Sequence, residues 1–230
     1  MKRSITMLSY EVSPSLVIYI VIQIIYAISS AVYFAFLCVE TVLHNGKAYN
    51  AYFLFGSGTI VTVLLELIPV AVLFLSIDRC LCIRRPAMKD EKSKLVYFNC
   101  IAIIVTALVI VFADIISSVP TNATTTCSAF ACLSTQLGKG VYGMVRMVLG
   151  IINVIMCIVL AVMIRRKLAL PALAAKTNTV VLKTVLITLL FDFLPHFAAF
   201  ILATAINKDV TQNYGPLSGL VSAVDNCLCA

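Results

Sequence analysis

Residues Leu16–Val39 read LVIYIVIQIIYAISSAVYFAFLCV, a run of 24 residues without a charged side chain. A helix rises about 1.5 Å per residue, so this run is long enough to cross a hydrocarbon core of roughly 30 Å. A signal peptide has a shorter apolar core of about 7–15 residues. Since this run also stays apolar beyond the small residues at 29–31, we interpret it as a membrane-spanning helix and not as a cleaved leader.

The chain contains five further apolar runs, and they define the predicted fold. These runs are Phe53–Ile77, Leu95–Val119, Val141–Ile164, Thr179–Ile206 and Tyr214–Ala230. The last run has only 17 residues and is predicted to be a shortened helix. Continuous apolarity favours helices, because the strands of a membrane barrel alternate between lipid-facing and lumen-facing residues. The sequence therefore predicts an all-α membrane protein, with a six-helix transmembrane bundle as a single domain over residues 1–230.

The composition of the chain excludes water-soluble classes of protein. Hydrophobic residues make up 62% and charged residues 12%, against about 45–50% and about 25% in a soluble domain. Disordered chains are poor in apolar residues, so disorder is excluded as well. The net charge is +7, but the sequence has no stripe of alternating basic and aromatic residues that would indicate a nucleic-acid partner.

The basic residues are distributed unequally between the two sides of the predicted bundle. One side holds the N-terminal tail and the loops 78–94 and 165–178, and its twelve basic residues are Lys2, Arg3, Arg79, Arg84, Arg85, Lys89, Lys92, Lys94, Arg165, Arg166, Lys167 and Lys176. The other side has three, Lys47, Lys139 and Lys208. Because basic residues concentrate in cytoplasmic loops, we expect the first side, and with it both termini, to be cytoplasmic.

The loop between the third and fourth predicted helices carries two features of an extracytoplasmic segment. Asn122-Ala123-Thr124 is an N-glycosylation sequon, and it lies on the predicted outer side. Cys127 and Cys132 lie in the same loop, in what would be an oxidising compartment. The sequence leaves open whether these two cysteines pair with each other or stay free.

Ionisable side chains inside the predicted helices are costly and are therefore candidates for function. Asp114 and Arg146 each lie five residues from the outer ends of consecutive helices, and we expect them to form an intramembrane ion pair with a structural role. Glu66, Asp192 and Asp225 lie near mid-depth, where no Lys or Arg is expected. At least one of these carboxyl groups is therefore predicted to be protonated and to donate a hydrogen bond.

Two polar stripes and two prolines mark the second and fifth predicted helices. Helical periodicity places Thr59 and Thr62 on one face with Glu66, and it places Thr188 on one face with Asp192 and His196. The stripes predict a polar internal cavity, and interhelical hydrogen bonding is the alternative. Asp192 and His196 have the spacing of metal ligands, but two ligands do not make a metal site.

The prolines of these helices follow the mid-depth carboxylates. Pro69 comes three residues after Glu66, and Pro195 comes three residues after Asp192. Proline removes a helical hydrogen bond, so both helices are predicted to be kinked at these points.

The cytoplasmic end of the second predicted helix reads Ser76-Ile77-Asp78-Arg79-Cys80 and continues as LCIRRP. It resembles the Asp/Glu-Arg-Tyr signature at the inner end of the third helix of G-protein-coupled receptors, with Cys80 in place of the tyrosine. FDFLPHF at residues 191–197 is similar to the proline-containing sixth receptor helix. Together with TTCSAFAC at 125–132 and GPLSGL at 215–220, these motifs resemble the nematode serpentine chemoreceptors, class BC most closely.

The resemblance spans about residue 16 to the C-terminus and implies a function. The six helices would correspond to receptor helices two to seven, without the first helix and without a cytoplasmic tail. The protein would be a chemosensory receptor in the plasma membrane of sensory neurons, binding a small-molecule ligand in the outer half of the bundle and needing no cofactor. It would couple to a heterotrimeric G protein through Asp78 and Arg79. Glu66, Asp192 and His196 are the candidates for the pocket wall.

The sequence also departs from the receptor pattern. The usual receptor disulfide joins the top of the third helix to the loop that follows the fourth, but no cysteine lies near residues 52–60. The last helix has Asp225-Asn226-Cys227-Leu228-Cys229 in place of the common Asn-Pro-x-x-Tyr motif. These departures keep a non-signalling truncated receptor as an alternative.

A six-helix transporter or channel is the other alternative, because mid-depth carboxylates can form a proton or cation path. Such proteins often contain an internal repeat, and residues 16–119 and 141–230 do not match convincingly. A membrane enzyme is not expected, because the sequence brings no nucleophile–base pair or metal ligand set together at one interface.

Overall fold

A computed structural model describes residues 13–44, 49–84, 89–127, 129–134, 136–166, 181–190, 194 and 197–198 of the chain. Its elements are α1 (Pro14–His44), β1 (Tyr49–Asn50), α2 (Ala51–Arg84), α3 (Lys89–Ser118), β2 (Thr124–Thr125), α4 (Phe130–Leu133) and α5 (Gln136–Arg166). Residues 181–190 are helical too, and the last two, Leu189 and Leu190, have π-helical hydrogen bonding. The fifth predicted span is thus described in part, and the sixth lies outside the described residues.

Within the described residues, four helices are long and apolar enough to cross a membrane: Pro14–Val42, Ala51–Arg84, Ser93–Ile116 and Gly140–Arg166. They coincide with the first four predicted runs to within a few residues at most ends, which confirms the prediction of membrane-spanning helices for this part of the chain. The largest difference is at the end of α2, which continues from Ile77 to Arg84. Backbone polar groups must be bonded within the chain wherever lipid surrounds it, so a continuous apolar run has helix as its stable state.

Helix α2 is the central helix of the described bundle. It packs against α1, α3 and α5. Of its apolar membrane-spanning stretch, 56% is buried, against 11% for the corresponding stretch of α3. The outward faces of the other helices expose large apolar side chains such as Ile28, Phe112 and Ile155, as expected where lipid is the solvent. The fold therefore takes several polar residues of α2, such as Glu66 and Asp78, into its interior.

The main core joins α1, α2 and α5 to residues 181–190. Its buried members are Tyr19, Ile22, Tyr26, Leu65, Leu67, Ile68, Ala71, Val72, Leu75, Ile83, Cys157, Leu160, Val181 and Val185. Since α2 supplies the largest share of this cluster, its position is fixed by apolar contacts on several sides.

A short β pairing ties the loop after α3 to the start of α2. Strands β1 and β2 are antiparallel, with Tyr49 opposite Thr125 and Asn50 opposite Thr124. The first amide of α2, at Ala51, donates to the carbonyl of Ala123 over 2.9 Å. This junction occupies the place where the resemblance puts the usual receptor disulfide. The disulfide of the described loop is instead local and joins Cys127 to Cys132, whose Cα atoms are 5.6 Å apart.

Residues Ala129–Leu133, which we call the plug, insert into the same end of the bundle. Phe130 is buried against Tyr33 of α1 and Leu54 of α2, and its amide donates to the Tyr33 hydroxyl over 2.9 Å. Gly58 leaves room for the ring, because a Cβ there would lie 2.6 Å from Cδ2 of Phe130. The plug therefore closes the gap between α1 and α2 opposite the Asp-Arg-Cys end of the bundle.

Candidate functional site

A buried ion pair lies in the interior between α2 and α5. Nη1 of Arg146 is 2.9 Å from Oε1 of Glu66, and the two residues are 3% and 0% exposed. The same nitrogen donates to the hydroxyl of Tyr142 over 2.8 Å. Tyr142 lies one helical turn before Arg146, where an i, i+4 pair can meet. A buried charge pair of this kind adds little net stability compared with apolar residues, but breaking it by removing one partner is costly.

The acid that pairs with Arg146 is not the predicted one. Asp114 is 3% exposed, and its Oδ2 has no hydrogen-bond partner in the part of the chain that the structure describes. The predicted Asp114–Arg146 pair is therefore wrong, as is the expectation that no cation lies at the level of Glu66. The reason is the lateral arrangement of the helices, because α5 packs against the central helix α2 as well as against α3.

Asn153 adds a second polar contact between the same two helices. Its Nδ2 donates to the carbonyl oxygen of Pro69 over 2.9 Å, in a buried position. Asn153 follows Arg146 by seven residues and therefore lies on the same helix face. Sequence reasoning missed Asn153 and Tyr142, although a polar pair seven residues apart within an apolar run could have indicated an inward face.

The two predicted polar stripes are only partly described. Thr59 is buried and Thr62 is half-buried on α2, on the helix that carries Glu66. Thr188 is buried and lines a small cavity together with Pro69, Arg146 and Asn153. The other members of its stripe, Asp192 and His196, lie outside the described residues, as do Pro195 and Asp225. Among the described residues, no group of three His, Cys, Asp or Glu side chains could hold a metal ion.

The Asp-Arg-Cys segment forms a second polar site at the other end of α2. Asp78 and Arg79 are 2% and 8% exposed, and Nε of Arg79 is 3.7 Å from Oδ2 of Asp78. The hydroxyl of Ser13 donates to the same carboxylate oxygen over 2.7 Å. Ser13 directly precedes α1, so this bond joins the beginning of α1 to the Asp-Arg-Cys segment of α2. The Ser13-Pro14 pair is a typical helix start, but the partner of its hydroxyl could not be read from the sequence.

The remaining predicted positions lie where their elements place them. Asn122 is exposed in the loop before β2, and Cys127 and Cys132 form the local disulfide. Pro69 lies within α2, which continues as a helix on both sides of it. The predicted kink at this position stays a prediction.

These features define an integral membrane protein with a buried Asp-Arg pair at one end of its central helix. The family model described as "Serpentine type 7TM GPCR chemoreceptor Srbc" matches residues 11–225. The chain therefore belongs to this nematode serpentine chemoreceptor family, and the predicted resemblance to the family is confirmed. The family consists of receptors and not of enzymes. No curated protein and no solved structure matches the chain.

Proposed function

We propose that this protein is a chemosensory receptor that detects a small molecule and couples to a G protein at Asp78 and Arg79. The observation that carries the proposal is the contact of Ser13 with Asp78, beside Arg79, at the end of the central helix. A charged motif buried there carries a cost, and a role in switching gives a reason for its presence. The membrane and G-protein coupling are general properties of the family.

The arrangement of Asp78 and Arg79 is the one expected of a receptor in its resting state. Arg79 is 8% exposed, so its guanidinium offers little surface to a partner protein. Asp78 holds it from one side and is itself held by Ser13. Protonation or displacement of Asp78 would release Arg79 towards the crevice in which the G protein binds.

The ligand would bind in the half of the bundle nearer the plug. The Glu66–Arg146 pair lies in the interior between α2 and α5. A ligand pocket at this place would lie between the same two helices. A polar ligand that contacts either member would compete with the other, and so would change how α2 and α5 pack. Asp192 and His196 remain proposed members of the pocket wall.

We also propose that both termini face the cytoplasm, in the plasma membrane. The distribution of basic residues supports this orientation, and so does Asn122, whose sequon lies in an exposed loop at the plug end. N-glycosylation of Asn122 would follow from the same orientation.

Arg79→Ala is expected to abolish coupling, because it removes the charged group that the G protein would contact. At equal surface expression, nucleotide exchange on a purified heterotrimeric G protein should fall at least about tenfold, as expected for the loss of one or two hydrogen bonds to a charged group. Arg84→Ala is the matched control, since Arg84 is an exposed cation near the end of the same helix. Unchanged exchange with a well-expressed Arg79→Ala variant would refute the proposed role.

Ser13→Ala is expected to raise ligand-independent activity. The variant removes one hydrogen bond to a buried carboxylate, so the resting arrangement should lose population by roughly tenfold relative to the active one. Basal nucleotide exchange, normalised to surface expression, measures this effect. Ser13→Thr keeps the hydroxyl and should remain near the parent level, and adding Arg79→Ala should remove the gain. Equal basal exchange in the alanine and parent proteins would contradict the prediction.

A further inference from the structure

The cavity between α2, α5 and residues 181–190 is small and partly polar. Its volume is about 10 Å³, close to the room that one water-sized sphere needs. Three polar residues of the described chain line it: Arg146, Asn153 and Thr188. A cavity of this size cannot hold a chemosensory ligand, so its occupant must be sought among the smallest molecules.

The side-chain oxygen of Asn153, Oδ1, is a buried hydrogen-bond acceptor that receives no hydrogen bond from the described residues. Its Nδ2 is committed to the carbonyl of Pro69 over 2.9 Å, which fixes the amide so that Oδ1 is the remaining group. That oxygen is buried and has no hydrogen-bond partner among the residues described. A buried acceptor without a donor is costly, and the bundle interior offers no bulk water to satisfy it.

Thr188 brings a hydroxyl to the same cavity from a different helix. The residue is 5% exposed, and its Oγ1 also lacks a hydrogen-bond partner within the described part of the chain. A threonine in a helix commonly bonds the carbonyl one turn earlier, but this one does not. The next residue, Leu189, also lines the cavity and begins the π-helical turn.

We propose that one ordered water molecule occupies this cavity and joins Asn153 to Thr188. The water would donate a hydrogen bond to Oδ1 of Asn153 and accept one from the hydroxyl of Thr188. Buried waters usually have two to four hydrogen-bond partners, and these residues supply two. A cation is a poor occupant, since the Arg146 guanidinium lines the cavity and no carboxylate does so among the described residues. An empty cavity would leave both polar groups unpaired.

The water completes a chain of hydrogen bonds across three helices. The chain runs from the Pro69 carbonyl on α2 through Asn153 on α5 to the water and then to Thr188. Residues 181–190 could then separate from α5 by breaking hydrogen bonds to one water molecule. The water could remain with Asn153 or Thr188, so that this group would keep a hydrogen-bond partner. This last consequence rests on the proposed receptor function, whereas the water site does not.

Thr188→Val tests the site by the sign of its effect, because valine has nearly the same shape and lacks the hydroxyl. If the water is present, the variant removes one of its partners, and the thermal midpoint of the purified full chain in detergent should fall by roughly 2–4 °C. If the cavity is dry, the variant removes an unpaired buried hydroxyl, and the midpoint should rise. A thiol-reactive fluorophore can follow unfolding through buried Cys157. Thr106→Val on α3 is the matched control and should not lower the midpoint.

Gly150→Ala provides a second variant, since Gly150 lines the cavity and a methyl group there would displace the water. Its midpoint should fall as well, and the double variant should be no less stable than the worse single one, because the same water is lost only once. A rise or no change with Thr188→Val overturns the proposal. So does a high-resolution cryo-electron microscopy map without density between Asn153 and Thr188. Neither readout depends on coupling, so the proposed function and the water site can fail separately.

Discussion

Arg146→Met will destabilise the folded protein by about 3–5 kcal/mol, because it leaves the carboxylate of Glu66 in the interior without the cation that faces it. Methionine keeps most of the length of the arginine side chain, so lost packing is a minor part of the effect. The measurement is the thermal midpoint and the fraction of folded monomer after extraction in detergent. We expect the thermal midpoint to fall strongly, and we expect little folded monomer to be recovered.

Two further variants separate the ion pair from general effects of mutation. Adding Glu66→Met to Arg146→Met removes the second charge and should recover most of the loss, which gives a strongly non-additive double-mutant cycle. Asp114→Asn is the matched control, a neutral replacement at a buried carboxylate outside the pair, and should change stability little. Additive effects of the two methionine substitutions, or a larger loss with Asp114→Asn, would show that Arg146 is balanced by a different acid.

Gly58→Ala and Gly56→Ala will have opposite effects, although the two glycines are two residues apart on α2. A methyl group at 58 would overlap the ring of Phe130, so the plug must shift, at a cost of about 1–3 kcal/mol. A methyl group at 56 meets no atom within 4 Å, and the better helix propensity of alanine favours it by up to about 1 kcal/mol. The thermal midpoint and the rate of proteolysis at the plug measure both effects.

Phe130→Ala tests whether the ring is the cause. In the Gly58→Ala background it removes the overlapping atoms, so the double variant should be little worse than Phe130→Ala alone. If Gly58→Ala is as stable as the parent protein and its plug is equally resistant to protease, then the close approach of Phe130 to α2 does not hold in the membrane.

The sequence predicted the four described spans because lipid leaves a long apolar run few alternatives to a helix. It ended the second helix at Ile77, directly before Asp78 and Arg79, whereas α2 includes both residues and continues to Arg84. Both inferences depend on order along the chain. They need no knowledge of which helices are neighbours.

The contacts that depend on which helices lie side by side in the bundle could not be predicted from the sequence. Arg146 was assigned to Asp114 because consecutive helices were assumed to meet at equal depth, whereas the central position of α2 brings Glu66 to it. Ser13 and Asn153 were missed for the same reason, since each bonds a residue 65 or more positions away. Strands of two residues, such as β1 and β2, are too short to produce a pattern.

The junction between the loop after α3 and the start of α2 has a consequence for how permanently the two are attached. Hydrogen bonds of β1, β2 and Ala51 hold the loop to the helix, and within the described part of the chain no disulfide joins the two. Covalent bonds to a helix persist for the lifetime of the protein, but hydrogen bonds break and re-form within a fraction of a second. The attachment of this loop to α2 is therefore reversible, whereas the disulfide between Cys127 and Cys132 closes the loop on itself permanently.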